Sequence, residues 1–332
     1  MTQTYLITQN VQALVVGTAI IREPGAEPQE GRILTFSLGS DGSRLCLLSQ
    51  TRVPGCVYAV APIDGKLVAS INGMTGLYRW SRTADSPDRP HAWTHLHSHF
   101  GQVLGVKLDT CGELIVVGDL MKSAFLLRLD ESGERLVEMA RDYEAHWMTE
   151  VRFIDHGQVL GADNLGNVFV MAPTPDKNPP GGQQGLRMRA AFHLGEIVNK
   201  IDAGTLARRM TGQVDLLQDP QLLGTTCGGV YQFGRLNVAH YKLLKAIERN
   251  VIAVASPVGG LSHTTWREMA TDLRKPAPPV EHFVDGDAVL KFLELPEDLQ
   301  KAVIFGGDTC AALPATAKEV HQILEMLLEA VQ

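Results

Sequence analysis

One repeated phrase constrains this chain more than any other feature. An apolar, strand-like run leads to a glycine with a small or acidic neighbour, a short polar turn follows, and a second apolar run closes the phrase. It reads Leu114-Ile115-Val116-Val117-Gly118-Asp119 then Ala124-Phe125-Leu126-Leu127, and Val159-Leu160-Gly161-Ala162-Asp163 then Asn167-Val168-Phe169-Val170. Weaker copies occupy Leu14-Val15-Val16-Gly17-Thr18, Leu67-Val68-Ala69-Ser70 with Gly76-Leu77-Tyr78-Arg79-Trp80, and Leu222-Leu223-Gly224-Thr225 with Gly229-Val230-Tyr231-Gln232-Phe233. Residues 17, 70, 118, 161 and 224 mark the copies, at steps of 53, 48, 43 and 63 residues. Four short strands with their turns need roughly 40 to 50 residues. The spacing therefore predicts about five radially arranged blades, a partial β-propeller, over residues 1–235. Asp41-Gly42, Asp64-Gly65, Asn72-Gly73, Ser132-Gly133 and Leu165-Gly166 supply residues that tolerate positive φ between paired strands. Residues 173–185 and 205–219 read as inserted loops that account for the unequal steps.

The pattern changes after Gly234, where apolar positions recur at three-and-four spacing. Asn237 is placed to cap a helix with Val238, Tyr241, Leu244, Ile247 and Val251 on its apolar face and Lys242, Lys245, Glu248 and Arg249 largely off it. Asp287 is expected to cap a second helix carrying Val289, Leu290 and Leu293, and Pro296 to sit in the first turn of a third carrying Leu299 and Val303. Thr316 and Glu319 form a capping-box pair ahead of Val320, Ile323, Leu324, Leu327, Leu328 and Val331. Pro276 to Pro279 reads as an extended connector. The fold class is thus mainly β followed by α: a propeller portion over 1–235 and a helical domain over 236–332.

Composition narrows the function. The 332 residues suffice for about two domains with real cores. A net charge of −7 argues against a phosphate-binding surface, so direct nucleic-acid binding is disfavoured. No apolar stretch approaches the roughly 20 residues of a membrane helix, and no secretory leader is evident, which points inside the cell. Five scattered cysteines, 46, 56, 111, 227 and 310, form no Cys-x-x-Cys pair and read as buried reduced thiols.

Catalytic chemistry is sparse. His95, His97 and His99 alternate, which would set three imidazoles on one strand face, yet no carboxylate or cysteine stands at ligand spacing. Asp285 and Asp287 flank Gly286 and read as a helix entry, since an EF-hand would need further acidic positions and a distal Glu. Gly-x-Ser-x-Gly, the phosphate-cradling loop and His-Glu-x-x-His are absent from the sequence. The chain reads as a non-enzyme with no metal and no cofactor; a metal hydrolase using the three histidines is the weak competing reading. Trp147, where one blade passes to the next, is either a blade-packing ring or an exposed rim anchor of the type that carries interface energy.

Several longer motifs carry a resemblance. Gly118-Asp119-Leu120-Met121-Lys122-Ser123, Ala140-Arg141-Asp142-Tyr143, His146-Trp147-Met148, Leu160 to Asn164 and Phe192 to Asn199 are similar to the C-terminal region of the family of the large subunit of the damaged-DNA-binding complex. This subunit is the adaptor of cullin-based ubiquitin ligases. Val16 to Ala19, Glu27-Pro28, Gly31 to Ile33, Gly65 to Asn72, His263 to Arg267 and Phe283 to Asp287 extend the likeness, in one order, over nearly the whole chain. The superfamily also holds the large subunit of the cleavage and polyadenylation factor and a splicing-factor subunit. The resemblance implies a scaffold of a ubiquitin-ligase complex, in nucleus and cytoplasm, with roles in DNA repair and protein ubiquitination. Its partners would be substrate receptors that insert a helical docking motif, contacting Lys122, Arg141, Trp147 and Asn199. The family usually has Arg where Lys122 stands, and lysine keeps the charge but loses the planar fork. The alternative is a subunit of an RNA-processing complex of the same superfamily. The family protein has three propellers, the third of seven blades, so this chain reads as its later part, a fragment or truncated product without the cullin-binding propeller. The shortfall in blades would leave strand edges open to a partner or a second copy.

Overall fold

The computed structural model describes residues 3–8, 11–39, 44–82, 91–174, 184–205, 216–267 and 282–331. The Asp41-Gly42 turn, Pro87 and Pro90, most of the two inserted loops and the Pro276 to Pro279 connector lie outside the described residues. Two compact units divide the chain, residues 1–165 with 169–189, and residues 166–168 with 190–332.

In the first unit the chain lays down strands four at a time. β1 (Gln3–Thr8), β2 (Val11–Ile20), β3 (Glu30–Leu38) and β4 (Leu45–Val53) form one antiparallel meander, and β5 (Val57–Ile63), β6 (Lys66–Ile71), β7 (Met74–Arg82) and β8 (His91–Phe100) form the next. β9 (Gly105–Cys111), β10 (Leu114–Asp119), β11 (Ala124–Leu129) and β12 (Leu136–Arg141) follow, then β13 (Met148–Asp155), β14 (Gln158–Asp163), β15 (Asn167–Pro173) and β16 (Gln184–His193). A short parallel contact, Ala140 with Gln184 and Arg141 with Gly185, joins the outer strands of these last two sheets. In the second unit β17 (Val198–Ala203), β18 (Gln218–Thr225) and β19 (Val230–Arg235) make a three-stranded sheet. Among the described residues the fold is therefore a set of blade-like antiparallel sheets, consistent with a partial propeller, followed by helices.

Each copy of the phrase includes the second strand of a blade, and in the first three blades its marker residue is small for a steric reason. A Cβ added at Gly17 would lie 2.5 Å from Val57 Cγ1 on β5, and one at Gly118 would lie 2.9 Å from Val151 Cγ1 on β13. Ser70, the third marker, donates its hydroxyl to Gly105 O on β9 at 2.6 Å. In all three the first strand of the following blade approaches the second strand of its predecessor. At Gly161 the added atom would meet Phe169 and Met148 of its own blade, whereas at Gly224 it would meet nothing within 4 Å.

Stacking between blades also explains why these runs are apolar without alternation. On β6, Leu67, Ala69 and Ile71 join Val15, Ile33, Val57 and Trp93 in one core, while Val68 joins Ile115, Val117 and Phe125 in the next. A strand buried on both faces needs apolar residues at every position. The Asp64-Gly65 turn takes positive φ at both residues, 44° and 67°, as a two-residue hairpin requires.

The second unit continues with α1 (Val238–Val254), α2 (His263–Arg267), α3 (Gly286–Leu290), α4 (Glu297–Phe305) and α5 (Ala317–Val331). Asn237 caps α1, its side chain accepting from His240 N–H at 2.7 Å. The capping box forms at α5, with Thr316 N–H donating to Glu319 at 2.7 Å and Glu319 N–H to Thr316 Oγ1 at 3.3 Å. Leu244, Ile247, Val251, Val289, Phe292, Val303, Val320, Ile323 and Leu324 form the core, which Leu216 before β18 also enters.

Several sequence expectations need correction. Val238 is exposed, and Glu248 is buried on α1 because it accepts the Asp285 backbone N–H at 3.0 Å. Asp285, not Asp287, caps α3, accepting from Asp287 and Ala288 N–H. A 3₁₀ turn over Lys291–Glu294 follows α3, and it buries Phe292 and exposes Leu293. Pro296 is the N-cap of α4 rather than part of its first turn. All five cysteines are free, but only Cys310 is buried, and Cys46 and Cys227 are exposed.

Candidate functional site

The connections between the second and third blades, and between the third and fourth, are tied together through backbone groups. Asp119, at the end of β10, is fully buried, and its carboxylate accepts four N–H groups. Oδ2 takes Val103 at 2.6 Å and Leu104 at 3.1 Å; Oδ1 takes Met121 at 2.8 Å and Lys122 at 2.9 Å. One side chain thereby fixes the β8–β9 connection against the β10–β11 turn. Ser123, at φ 60°, donates its N–H to His146 O at 2.9 Å and its hydroxyl to Asp142 Oδ2 at 2.6 Å. Trp147 O accepts the Asn164 N–H at 3.0 Å, which links the β12–β13 connection to the β14–β15 turn.

These fixed loops present apolar side chains to solvent. Phe100 is 69 % exposed, Tyr143 74 %, Trp147 47 % and Met121 45 %. Of the two readings of Trp147, the structure shows the exposed one. Beneath it the His146 ring is buried, its centroid 4.8 Å from that of Phe169, its Nδ1 3.4 Å from Asp163 and its Nε2 3.5 Å from Glu144.

Lys122 is exposed at the tip of the β10–β11 turn, with Nζ 3.5 Å from Gly101 O. Arg141 is more confined. Its Nε and Nη2 donate to both oxygens of Glu138 at 2.8 and 2.7 Å, and its guanidinium lies 4.4 Å above the Phe125 ring. His99 reaches the same carboxylate at 2.9 Å. Burial alone would push the Glu138 carboxyl up, but hydrogen bonds from His99 and Arg141 and the Arg141 charge overcome it and hold it at about 2. Lys122 and Trp147 thus stand on loops of the first unit and Arg141 at the end of β12, while Asn199 is exposed on β17 in the second.

The three histidines do not share a face. His97 pairs with Leu77 and His95 with Tyr78, so the bulge at Leu96 turns His95 away from His97 and His99. Each is engaged separately: His95 with Ser98 and the Tyr78 ring, His97 with the Leu136 N–H, His99 with Glu138. Among the described residues no three His, Cys, Asp or Glu side chains gather as a metal site.

A second polar centre, inside the second unit, escaped the sequence reading. Asp285 is buried and accepts from His263 Nε2 and Arg267 Nε, both at 2.7 Å. Arg267 also donates to His193 O at 2.9 Å and lies 4.3 Å above the Phe192 ring, which stacks on Phe283 at 5.1 Å. Burial would raise the Asp285 carboxyl; the hydrogen bond from His263 and the Arg267 charge outweigh it and hold it at about 2. The sequence reading set Glu248 largely off the apolar face; its spacing from Leu244 and Val251, a charge within an apolar stripe, is the signal that could have shown that α1 faces a polar partner. This centre ties α1, α2 and α3 to the end of β16 and presents no open chemistry.

Comparison with known proteins matches the chain to a family. The family described as CPSF A subunit region matches residues 2–294. The chain is 34 % identical over 293 residues to DNA damage-binding protein 1 of Solanum lycopersicum, a match covering 87 % of this chain and 26 % of that protein. It is 34 % identical over 292 residues to DNA damage-binding protein 1 of Oryza sativa subsp. japonica, covering 88 % and 26 %. DNA damage-binding protein 1a of Arabidopsis thaliana gives 33 % over 293 residues, covering 87 % and 26 %. The chain thus spans about a quarter of the length of the curated relatives it matches. With its blades and the helices α1 to α3 inside one continuous match, the chain belongs to the family of the CPSF A subunit region, among relatives named DNA damage-binding protein 1.

Proposed function

We propose that this chain is a non-enzymatic adaptor scaffold that docks substrate receptors of a cullin-RING ubiquitin ligase, serving DNA repair and protein ubiquitination in the nucleus. The observation that carries the reading is the rim of exposed rings, Phe100, Tyr143 and Trp147, on loops whose backbones are already bound to one another. Rigid aromatic anchors of this kind suit the apolar face of an amphipathic helix laid across them. Lys122 adds a cation at the edge of the rim, and Asn199 is assigned a polar contact to the same receptor. Arg141 acts from beneath, since two of its nitrogens are committed to Glu138.

The test is binding of a synthetic receptor docking helix to the full chain. Trp147→Ala is expected to weaken it by about 30-fold, the effect of a 2 kcal/mol hot spot, with unchanged thermal stability because the ring is half exposed. Undiminished binding by Trp147→Ala combined with Asn199→Ala would refute the surface. The superfamily resemblance leaves one competing role, a subunit of a polyadenylation or splicing complex, and the match to the CPSF A subunit region is compatible with it. Co-purification with those factors, and not with ligase components, would select it.

A further inference from the structure

The β8–β9 connection is gripped at both ends by buried carboxylates of the third blade. Asp119 takes its far end through the Val103 and Leu104 amides. Its near end, Gly101, rests on Glu138 by way of two basic side chains. Glu138 accepts Arg141 Nε and Nη2 at 2.8 and 2.7 Å and lies 2.9 Å from His99 Nε2. In a regular strand, residues 138 and 141 would face opposite ways. The register steps from Ala140 opposite Leu126 to Glu138 opposite Leu127, and the bulged Met139 brings Glu138 and Arg141 onto one face.

Gly101 lies directly over this cluster. A Cβ added there would be 2.9 Å from Arg141 Nη2, 3.3 Å from His99 Nε2 and 3.7 Å from Glu138 Oε2. Two groups of the rim depend on that glycine. Phe100 precedes it at the end of β8, and its own carbonyl oxygen lies 3.5 Å from Lys122 Nζ. The Glu138 side chain is only 8 % exposed, so it acts through these neighbours. Burial raises its carboxyl, yet hydrogen bonds from His99 and Arg141 and the Arg141 charge hold it at about 2, which keeps it ionised throughout the neutral range. A buried guanidinium without its carboxylate is costly. Loss of the Glu138 charge would therefore send Arg141 from its place over the Phe125 ring toward water, and Gly101 would lose its floor.

We infer that Glu138 is a positioning residue of the docking rim: through Arg141 and His99 it fixes Gly101, and with it the Phe100 ring and the Lys122 ammonium that meet the partner helix. The inference rests on docking at the rim as proposed above.

The test is a set of double-mutant cycles on the full chain, read as Kd for the same synthetic docking helix. Ordering one freed side chain at an interface costs about 2- to 12-fold in affinity. Glu138→Gln, which frees two, is expected to weaken binding about tenfold. In a protein already carrying Phe100→Ala and Lys122→Ala the same change should cost less than about twofold, because the groups it positions are gone. On Trp147→Ala it should cost about tenfold again. An equal loss on both backgrounds would mark a general loosening of the fold and overturn the inference. Gly101→Ala keeps the carboxylate and both basic side chains and presses on them. It should weaken binding with the same dependence on background, and it carries the test if Glu138→Gln does not fold. Full affinity in either variant, with Trp147→Ala weakened, would overturn the positioning role alone. Full affinity in Trp147→Ala as well would remove the rim, and the inference with it.

Discussion

Replacing marker glycines with alanine at two positions separates a blade that has a successor packed on it from one that, among the described residues, does not. At Gly17 the new Cβ would lie 2.5 Å from Val57 Cγ1, 2.8 Å from its Cβ and 3.0 Å from its carbonyl oxygen. Val57 is buried in the core between the first two blades, so the side chain has no free rotamer to retreat into and β5 itself must shift. Overpacking of this kind costs about 1–3 kcal/mol, and contact with backbone sets Gly17→Ala toward the upper end. At Gly224 the same atom meets nothing within 4 Å, and removing glycine's excess backbone freedom from a strand interior is worth about 0.5–1 kcal/mol. The two variants should differ by about 3 kcal/mol, in opposite directions from wild type. Gly118→Ala, at 2.9 Å from a Val151 methyl, should fall between them. Urea unfolding followed by circular dichroism gives the ranking, and native-state hydrogen exchange on β6 and β18 assigns each change to its own unit, because the chain has two. If Gly224→Ala destabilises as much as Gly17→Ala, the marker residues are not small because a following blade approaches them, and the stacking account fails.

Two further outcomes follow from the second unit. The Asp285 carboxyl is held at about 2 against its ordinary 3.8, so it stabilises the fold above about pH 4, and that contribution, about 2 kcal/mol, is lost as pH falls through about 2. Asp285→Asn should be less stable at pH 7 and show a flatter acid limb in a pH series of melting temperatures; an unchanged limb would show that the carboxylate is not held down. Asn250 is buried on α1 and donates to Val303 O at 2.9 Å and Ala311 O at 2.7 Å, so Asn250→Ala should cost about 2–3 kcal/mol in denaturant midpoint experiments. A cost below about 0.5 kcal/mol would mean that water replaces the amide.

What the sequence disclosed and what it hid divide along a physical line. The phrase markers fell on the second strand of every blade because a strand buried on both faces leaves an uninterrupted apolar run, and a close approach leaves a small residue within it. The capping box of Thr316 and Glu319 was legible because both partners lie within one turn. Features set by residues distant in the chain were not. Glu248 turns inward only because a backbone N–H far along the chain, at Asp285, needs an acceptor, and Asp285 takes the capping role because His263 and Arg267 hold its other oxygen. His95, His97 and His99 alternate in sequence, but one bulged residue, Leu96, parts them. Trp147 was undecidable from pattern alone, since a ring ahead of an alternating strand packs or protrudes according to how its loop is held.

How that loop is held bears directly on what the rim can bind. A large exposed ring on a free loop would have to be ordered on binding, at about 0.5–1.5 kcal/mol per immobilised side chain and more for the backbone beneath it. Here the backbone cost falls on folding instead. Asp119 secures four amides, Ser123 bonds both His146 and Asp142, and Asn164 holds the Trp147 carbonyl. The blades add the remaining constraint, because Gly118, one residue before Asp119, is pressed against Val151 by the next blade. A change at that glycine would therefore loosen blade stacking and the rim together, although residue 118 touches no partner. The repeat that made the fold legible is in this way also what keeps its anchors in place.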